Sequence, residues 1–360
     1  MSAAPRIRVL VIDDSAASRE AITRMLSASP LVEVVGTARD GDEALRLATL
    51  LAPDLITLDL EMPRMDGFTL LRIVMSRCPT PVIVISARGA AGDVFRALEL
   101  GAADFIAKPT GAAAPELASI ERELLRKVHA VRELRADALR ARLSRAGAPR
   151  PPPSTAGAGV EPAAPRVVAV GASTGGPAAL MEILAGFEAP PPIAFLVAQH
   201  MPEGFTRDFA ARLDRLTAFA AREAAGGEEP APGEVLVAAG GSHLEVEAAA
   251  GRVRTRVVRA RPGDRFVPSV DRLFESAAKA YGAGLLAVVL TGMGDDGARG
   301  VLAVKGAGGS VVAESERTAV IHGMPAQAIR TGAVDRVLPL PEIAEAIRAG
   351  VRGATASTSR

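Results

Sequence analysis

Short runs of consecutive apolar residues alternate along the chain with segments whose apolar residues recur every three or four positions. Arg8–Ile12, Leu31–Gly36, Leu55–Leu58, Pro81–Ile85 and Asp104–Ala107 read as strands, separated by helical spacing over Ser18–Ser27, Gly41–Leu51, Thr69–Met75 and Val94–Leu100. Continuous β-branched runs mark strands buried on both faces, and strand–helix alternation then implies a parallel sheet covered by helices on both sides. The alternation resumes at Arg166. Strands are expected at Val167–Ser173, Ile193–Gln199, Glu234–Ala238, Leu285–Leu290 and Ser310–Ser315. Helices fall at Pro177–Leu184, Phe205–Leu216, Ser269–Ala280, after the glycine-rich loop behind Leu290, and at Met324–Thr331. His243–Ala248 and Val253–Val258, joined by Ala249–Arg252, form a hairpin pattern.

Between the two alternating regions, Leu117–Leu143 carries apolar residues at Leu117, Ile120, Leu124, Val128 and Val131, one stripe of a long helix supported by a Glu123–Lys127 pair. Gly147–Pro165 follows, too rich in proline and glycine for a packed element, and reads as a semi-rigid spacer. The expected fold is therefore α/β throughout: an N-terminal flavodoxin-like domain over residues 1–127, a linker over 128–165, and a doubly wound α/β domain with a β-hairpin over 166–350. The tail Ala354–Arg360 is expected to be disordered.

Composition narrows the function classes. The 360 residues are 49% hydrophobic and 23% charged, ordinary for a soluble protein, and long enough for two cores. Aromatics are 3%, Trp is absent and the net charge is +1. Neither a base-stacking platform nor a strong electrostatic footprint for nucleic acid is present. Cys78 is the single cysteine, which fits a reducing compartment. No apolar stretch of about 18 residues and no apolar leader is seen, so the expectation is a cytoplasmic protein without membrane insertion.

Ligands of open parallel sheets bind beyond the carboxyl ends of the strands. Asp13 and Asp14, Asp59, Ser86 and Lys108 each follow such an end in the first domain. Carboxylates so grouped suit Mg²⁺, an aspartate beside that ion can attack a phosphoryl donor, and a lysine and a hydroxyl can contact phosphoryl oxygens. With only four lysines in the chain, Ile106-Ala107-Lys108-Pro109 together with Asp59-Leu60-Glu61-Met62-Pro63-Arg64-Met65-Asp66-Gly67 is hard to obtain by chance. Residues 7–127 resemble the receiver domain of two-component response regulators. The resemblance implies that Asp59 is the phosphoacceptor and Asp14 a direct Mg²⁺ ligand, with Asp13 assisting and the Glu61 backbone carbonyl supplying another oxygen. It further implies that Ser86 and Lys108 sense the phosphoryl group and that Phe105 is the aromatic switch.

In the second domain, Gly171-Ala172-Ser173-Thr174-Gly175 places a serine on a strand-to-helix turn that exposes a hydroxyl. A nucleophilic serine needs a base. His129 on the linker helix is expected in solvent, and His243 at the start of a hairpin strand is expected to be structural. His200 and His322 remain, with Asp295 or Asp296 as the orienting carboxylate. The order serine, histidine, aspartate uses His200; the lipase-like order serine, aspartate, histidine uses His322 but lacks its usual oxyanion motif. Residues 166–345 resemble the catalytic domain of the chemotaxis protein-glutamate methylesterases. The resemblance rests on GASTGGP, on Gln199-His200-Met201-Pro202-Glu203-Gly204-Phe205-Thr206, on Arg265-Phe266-Val267-Pro268-Ser269-Val270-Asp271 and on TGMGDDG, in that order.

That resemblance implies Ser173 as nucleophile, His200 as base, Asp296 as orienting carboxylate, and Thr174 and the Met293 amide as oxyanion donors. Asp295 stands where the family often has Asn. The implied activity is hydrolysis of glutamate γ-methyl esters on chemoreceptors, and deamidation of glutamines, without an organic cofactor. The implied partners are a methylated chemoreceptor and a sensor histidine kinase that phosphorylates Asp59 with Mg²⁺ and so shifts how the receiver sits on the catalytic face. A receiver joined to a DNA-binding output would instead need a small basic helical module. A lipase-like esterase would use His322, and a catalytically dead adaptor would lack a labelled serine.

Overall fold

The computed structural model describes residues 5–86, 91–108, 114–130, 166–249 and 251–357. The chain divides into two units, Met1–Ala148 and Pro149–Arg360. The spacer Gly147–Pro165 lies outside the described residues.

The first unit runs β1 (Ile7–Ile12), α1 (Ala16–Ser27), β2 (Val32–Ala38), α2 (Gly41–Leu51), β3 (Leu55–Leu58), α3 (Gly67–Arg77), β4 (Val82–Ser86), α4 (Ala91–Glu99), β5 (Asp104–Ala107) and α5 (Ala114–His129). The sheet order is β2-β1-β3-β4-β5 with every pair parallel. This is the flavodoxin-like order, whose switch point lies between β1 and β3. Side-chain caps start the first three helices: Ser15 Oγ accepts from Ser18 N, Asp40 from Glu43 N and Asp66 from Thr69 N.

The apolar stripe predicted for the linker helix packs onto this sheet. Leu124 and Val128 are buried against Ile7, Val9, Val11, Ile83 and Ile106, so α5 closes the core of the first unit. The helix is described to His129, and residues 131–143 of the predicted stretch lie outside the described set. One expectation changes. His129 is not solvated: it is half-buried, with Nε2 2.9 Å from Ser29 Oγ. The charged composition of this helix concealed that its last described turn is covered.

The second unit runs β6 (Val167–Ala172), α6 (Gly176–Ala185), β7 (Ala194–Gln199), α7 (Phe205–Leu216), β8 (Ala220–Glu223), β9 (Glu234–Val237), β10 (Ser242–Ala249) and β11 (Arg252–Arg259). It continues with α8 (Val270–Tyr281), β12 (Leu285–Val289), α9 (Ala298–Gly306), β13 (Ser310–Glu314), α10 (Gly323–Arg330), β14 (Arg336–Leu338) and α11 (Leu340–Ser357). Seven strands in the order β14-β13-β12-β6-β7-β9-β8 form one parallel sheet, and β10 pairs β11 as an antiparallel hairpin. From β6 the chain moves to β7 on one side and later to β12 on the other, so the switch point falls at β6 and β12. The tail expected to be disordered from Ala354 is instead helical as far as Ser357, and residues 358–360 lie outside the described set. No helix among the described residues is long and apolar enough to cross a membrane.

Candidate functional sites at two sheet edges

At the first switch point Asp13 is fully buried, Asp59 nearly so, and Asp14 exposed. One carboxylate oxygen of each lies within 4.8 Å of the others. Three carboxylates converging on one spot form a hard oxygen donor set, and that set fits Mg²⁺. Lys108 lies at the same place, its Nζ 2.5 Å from Asp59 Oδ2 and 2.8 Å from Asp13 Oδ2. Burial pulls the ammonium pKa down, but its bonds to Asp13 and Asp59 outweigh burial and hold it above the ordinary lysine value. Burial raises the Asp59 carboxyl, and the nearby Asp13 charge adds to that against the opposing effect of Lys108.

The remaining predicted receiver residues fall around this cluster. Ser86 is buried at the end of β4, and its carbonyl accepts from Lys108 N at 2.7 Å, which ties the two strand ends together. Glu61 sits in the loop after β3, its amide 3.4 Å from Asp59 Oδ1. Phe105 lies apart, buried on β5 with the Lys127 ammonium 5.3 Å from its ring centre. Gly67 lets α3 approach the acidic loop, because a Cβ there would lie 2.5 Å from the Asp59 carbonyl oxygen.

The second switch point assembles the other group. β6 and β7 pair with Ala172 opposite Gln199, and His200 N donates to Ala172 O at 3.0 Å. Ser173 and His200 therefore follow register partners on adjacent strands, where neighbouring chains lie about 4.8 Å apart. Asp296, in the loop after β12, is 2% exposed, and its Oδ2 lies 2.8 Å from His200 Nε2. The carboxylate thus engages Nε2, and Nδ1 is buried without a hydrogen-bond partner among the described residues. That leaves Nδ1 as the nitrogen available to a hydroxyl.

Asp296 is held by more than the imidazole. Ser269 Oγ donates to Oδ1 at 3.1 Å, Asp271 N to Oδ1 at 2.9 Å and Val270 N to Oδ2 at 2.7 Å. The carboxylate occupies the N-terminus of α8, where amides and helix dipole favour an anion. Burial pushes its pKa up, but His200 and the amides of Asp271 and Val270 outweigh burial and set it below the ordinary carboxylate value. Phe266 stacks on the imidazole with centroids 5.2 Å apart and planes 6° from parallel. Arg265 lies 4.8 Å over the other partner of that stack and pairs with Asp295 at 3.0 Å.

The serine turn is pinned from two sides. Gln199 Nε2 donates to the carbonyls of Ser173 and His200 at 2.9 and 3.0 Å. Ser173 N donates to Thr291 O at 3.0 Å and Gly292 N to Ile321 O at 3.0 Å, which ties the serine turn to the loop after β12 that carries Met293. Only glycine fits at 292, since a Cβ would lie 2.7 Å from Ser173 Cβ. Of the alternatives raised by the sequence, Asp295 turns to Arg265 and His322 begins α10, its backbone bridged to Gly292. His243 is 1% exposed, with Nε2 2.9 Å from Asp264 Oδ2.

The sequence assigned no role to Phe266, Ser269, Asp271 or Gln199, although all four stand in quoted motifs. They act by stacking on the imidazole, by a backbone amide, or by side-chain bonds to groups distant in sequence, which residue type alone does not reveal.

The fold is that of a parallel-sheet receiver joined in one chain to a separate α/β domain. The description "Response regulator receiver domain" matches residues 9–118 and "CheB methylesterase" matches residues 168–347. The chain belongs to the CheB methylesterase family. It is 51% identical to protein-glutamate methylesterase/protein-glutamine glutaminase 3 of Geobacter sulfurreducens, over 95% of this chain and 96% of that one. It is 48% identical to protein-glutamate methylesterase/protein-glutamine glutaminase 1 of Myxococcus xanthus, over 98% of this chain and 99% of that one. The crystal structure of the Thermotoga maritima CheB methylesterase catalytic domain is 40% identical, with a TM-score of 0.49, covering 51% of this chain and 97% of that chain.

Proposed function

We propose that this chain hydrolyses glutamate γ-methyl esters on chemoreceptors, deamidates receptor glutamines, and is switched by phosphorylation of its receiver. The observation that supports the reading is the 2.8 Å His200–Asp296 pair, with Ser173 and His200 each following register partners on adjacent strands. His200 accepts the Ser173 hydroxyl proton at Nδ1 while Asp296 fixes the imidazole through Nε2 and stabilises its charged form. Ser173 Oγ attacks the ester carbonyl, and the Thr174 and Met293 amides receive the developing oxyanion. His200 returns the proton to the departing methanol, leaving an acyl-enzyme. Water, deprotonated by the same imidazole, then releases the glutamate and restores the serine. With a glutamine side chain the leaving group is ammonia and every other step is unchanged.

In the receiver, Asp13, Asp14 and Asp59, with the Glu61 carbonyl, would hold Mg²⁺, which neutralises phosphoryl oxygens when bound. Asp59 accepts the phosphoryl group from a sensor histidine kinase, and Ser86 and Lys108 contact it, with Phe105 as the aromatic that responds. The decisive measurement is methanol release from methylated receptor. Ser173→Ala is expected to lower it by at least ~10³-fold, and near-normal release would remove Ser173 as nucleophile.

A further inference from the structure

We propose that His243 is a positioning residue of the hydrolytic site, acting through the N-cap of α8 on the carboxylate of Asp296. The inference rests on the Ser173–His200–Asp296 reading and extends it outward by two residues.

His243 Nδ1 accepts the backbone amide of Ser269 at 3.1 Å. An amide N–H only donates, so Nδ1 must present its lone pair, and the ring proton belongs on Nε2, facing Asp264 Oδ2 at 2.9 Å. Asp264 is itself fixed, since the same oxygen accepts Arg261 N at 2.7 Å. The amide of Arg261 and the bond from His243 both hold that carboxyl below its ordinary value, which keeps it an acceptor. The ring is thus set in one tautomer and one orientation by two partners.

What it holds is the segment that holds the triad. Ser269 is the N-cap of α8, accepting from Arg272 N and donating to Asp296. The next two amides complete the grip on Asp296. Three residues earlier, Phe266 covers the face of His200. Residues 266–271 therefore touch both members of the His–Asp pair, and His243 fixes the segment at its middle. The connected path is Asp264, His243, Ser269, Asp296, His200, each step a hydrogen bond of 3.1 Å or less.

The experiment uses the full-length protein with an acyl-phosphate donor and methylated receptor. His243→Leu keeps bulk and removes the acceptor; His243→Asn returns an acceptor oxygen to the δ position. His243→Leu is expected to lower kcat about 10- to 100-fold with KM nearly unchanged, and His243→Asn to recover most of it. Asp264→Ala, whose side chain is 28% exposed and so is safe for folding, is expected to move kcat the same way. In an Asp296→Asn background the His243→Leu change should add little further loss, because both act through one carboxylate.

Wild-type kcat in folded His243→Leu overturns the proposal, as do losses that multiply in the double variant. Should His243→Leu fail to fold, wild-type kcat in Asp264→Ala overturns it. Full kcat in Asp296→Asn alone has a different signature: it removes the triad reading, and the proposal with it.

Discussion

Gly292 lets the loop after β12 approach Ser173, the approach that the proposed oxyanion donation from that loop requires. A Cβ at 292 would lie 2.4 Å from Met324 Sδ and 2.7 Å from Ser173 Cβ, so the loop or the serine must shift. Gly292→Ala is expected to lower kcat by about 100-fold while the protein still folds, read as methanol release beside a thermal melt. Retained kcat would mean that the loop has slack that the contacts do not show. The contrast in what could be read from sequence is sharpest at this scale. Ser173, His200 and Asp296 stood out in the sequence as candidates because a turn motif, a strand end and a glycine-rich loop each end at one sheet edge. His243 was read as structural from its place on a hairpin strand. Its link to Asp296 passes through the Ser269 amide, and every residue but proline carries that group.

At the scale of elements, two helices hold each other's termini. Asp296 precedes α9 and sits on the N-terminal amides of α8; Asp271, in the first turn of α8, accepts Gly297 N at 2.9 Å and Gly300 N at 2.7 Å at the start of α9. Removing either carboxylate leaves orphan amides on the partner helix. Asp271→Ala is expected to cost about 1–2 kcal/mol of stability, seen as a lower denaturation midpoint, and to lower kcat as Asp296 loses its fixed seat. A second element-level test concerns the turn before β9. Burial opposes ionisation of Glu228, but the Thr255 hydroxyl, the Ala225 amide and Arg222 outweigh it and bring its pKa from 4.5 to about 2. A carboxylate depressed on folding stabilises above its unfolded pKa and loses that contribution as pH falls through the folded value. Wild type should therefore exceed Glu228→Gln in stability at neutral pH, with the gap closing between pH 4.5 and about 2 in denaturation curves. Most elements were legible from periodicity, because buried parallel strands read as unbroken apolar runs. β8 and β14 were not: Ala-Ala-Arg-Glu and Arg-Val-Leu lie at the two sheet edges, where pairing on one side and exposure on the other erase the apolar run.

For the whole molecule, one chain carries two polar clusters at two switch points of the same kind, and the proposed phosphoacceptor lies at the first. Asp59 faces Lys108 and the buried Asp13 across 2.5 and 2.8 Å contacts to the one ammonium. Phosphorylation of Asp59, as proposed, would convert that carboxylate into a dianionic group with three acceptor oxygens, so the ammonium would have to re-pair and the loops after β3, β4 and β5 would feel the change. Asp59→Asn keeps the shape of the side chain and removes the nucleophilic oxygen. Its methanol release is expected to be the same with and without an acyl-phosphate donor, where wild type rises. Stripping Mg²⁺ with a chelator should abolish the same rise in wild type, because Asp13, Asp14 and Asp59 then face the phosphoryl donor without a cation between them. The unstimulated rate should survive the chelator, since proton transfer and oxyanion binding in the second unit are assigned to His200, Asp296 and backbone amides. Stimulation that persists in Asp59→Asn would move the phosphoacceptor elsewhere. An unstimulated rate that collapses with the chelator would place a metal in the ester chemistry itself.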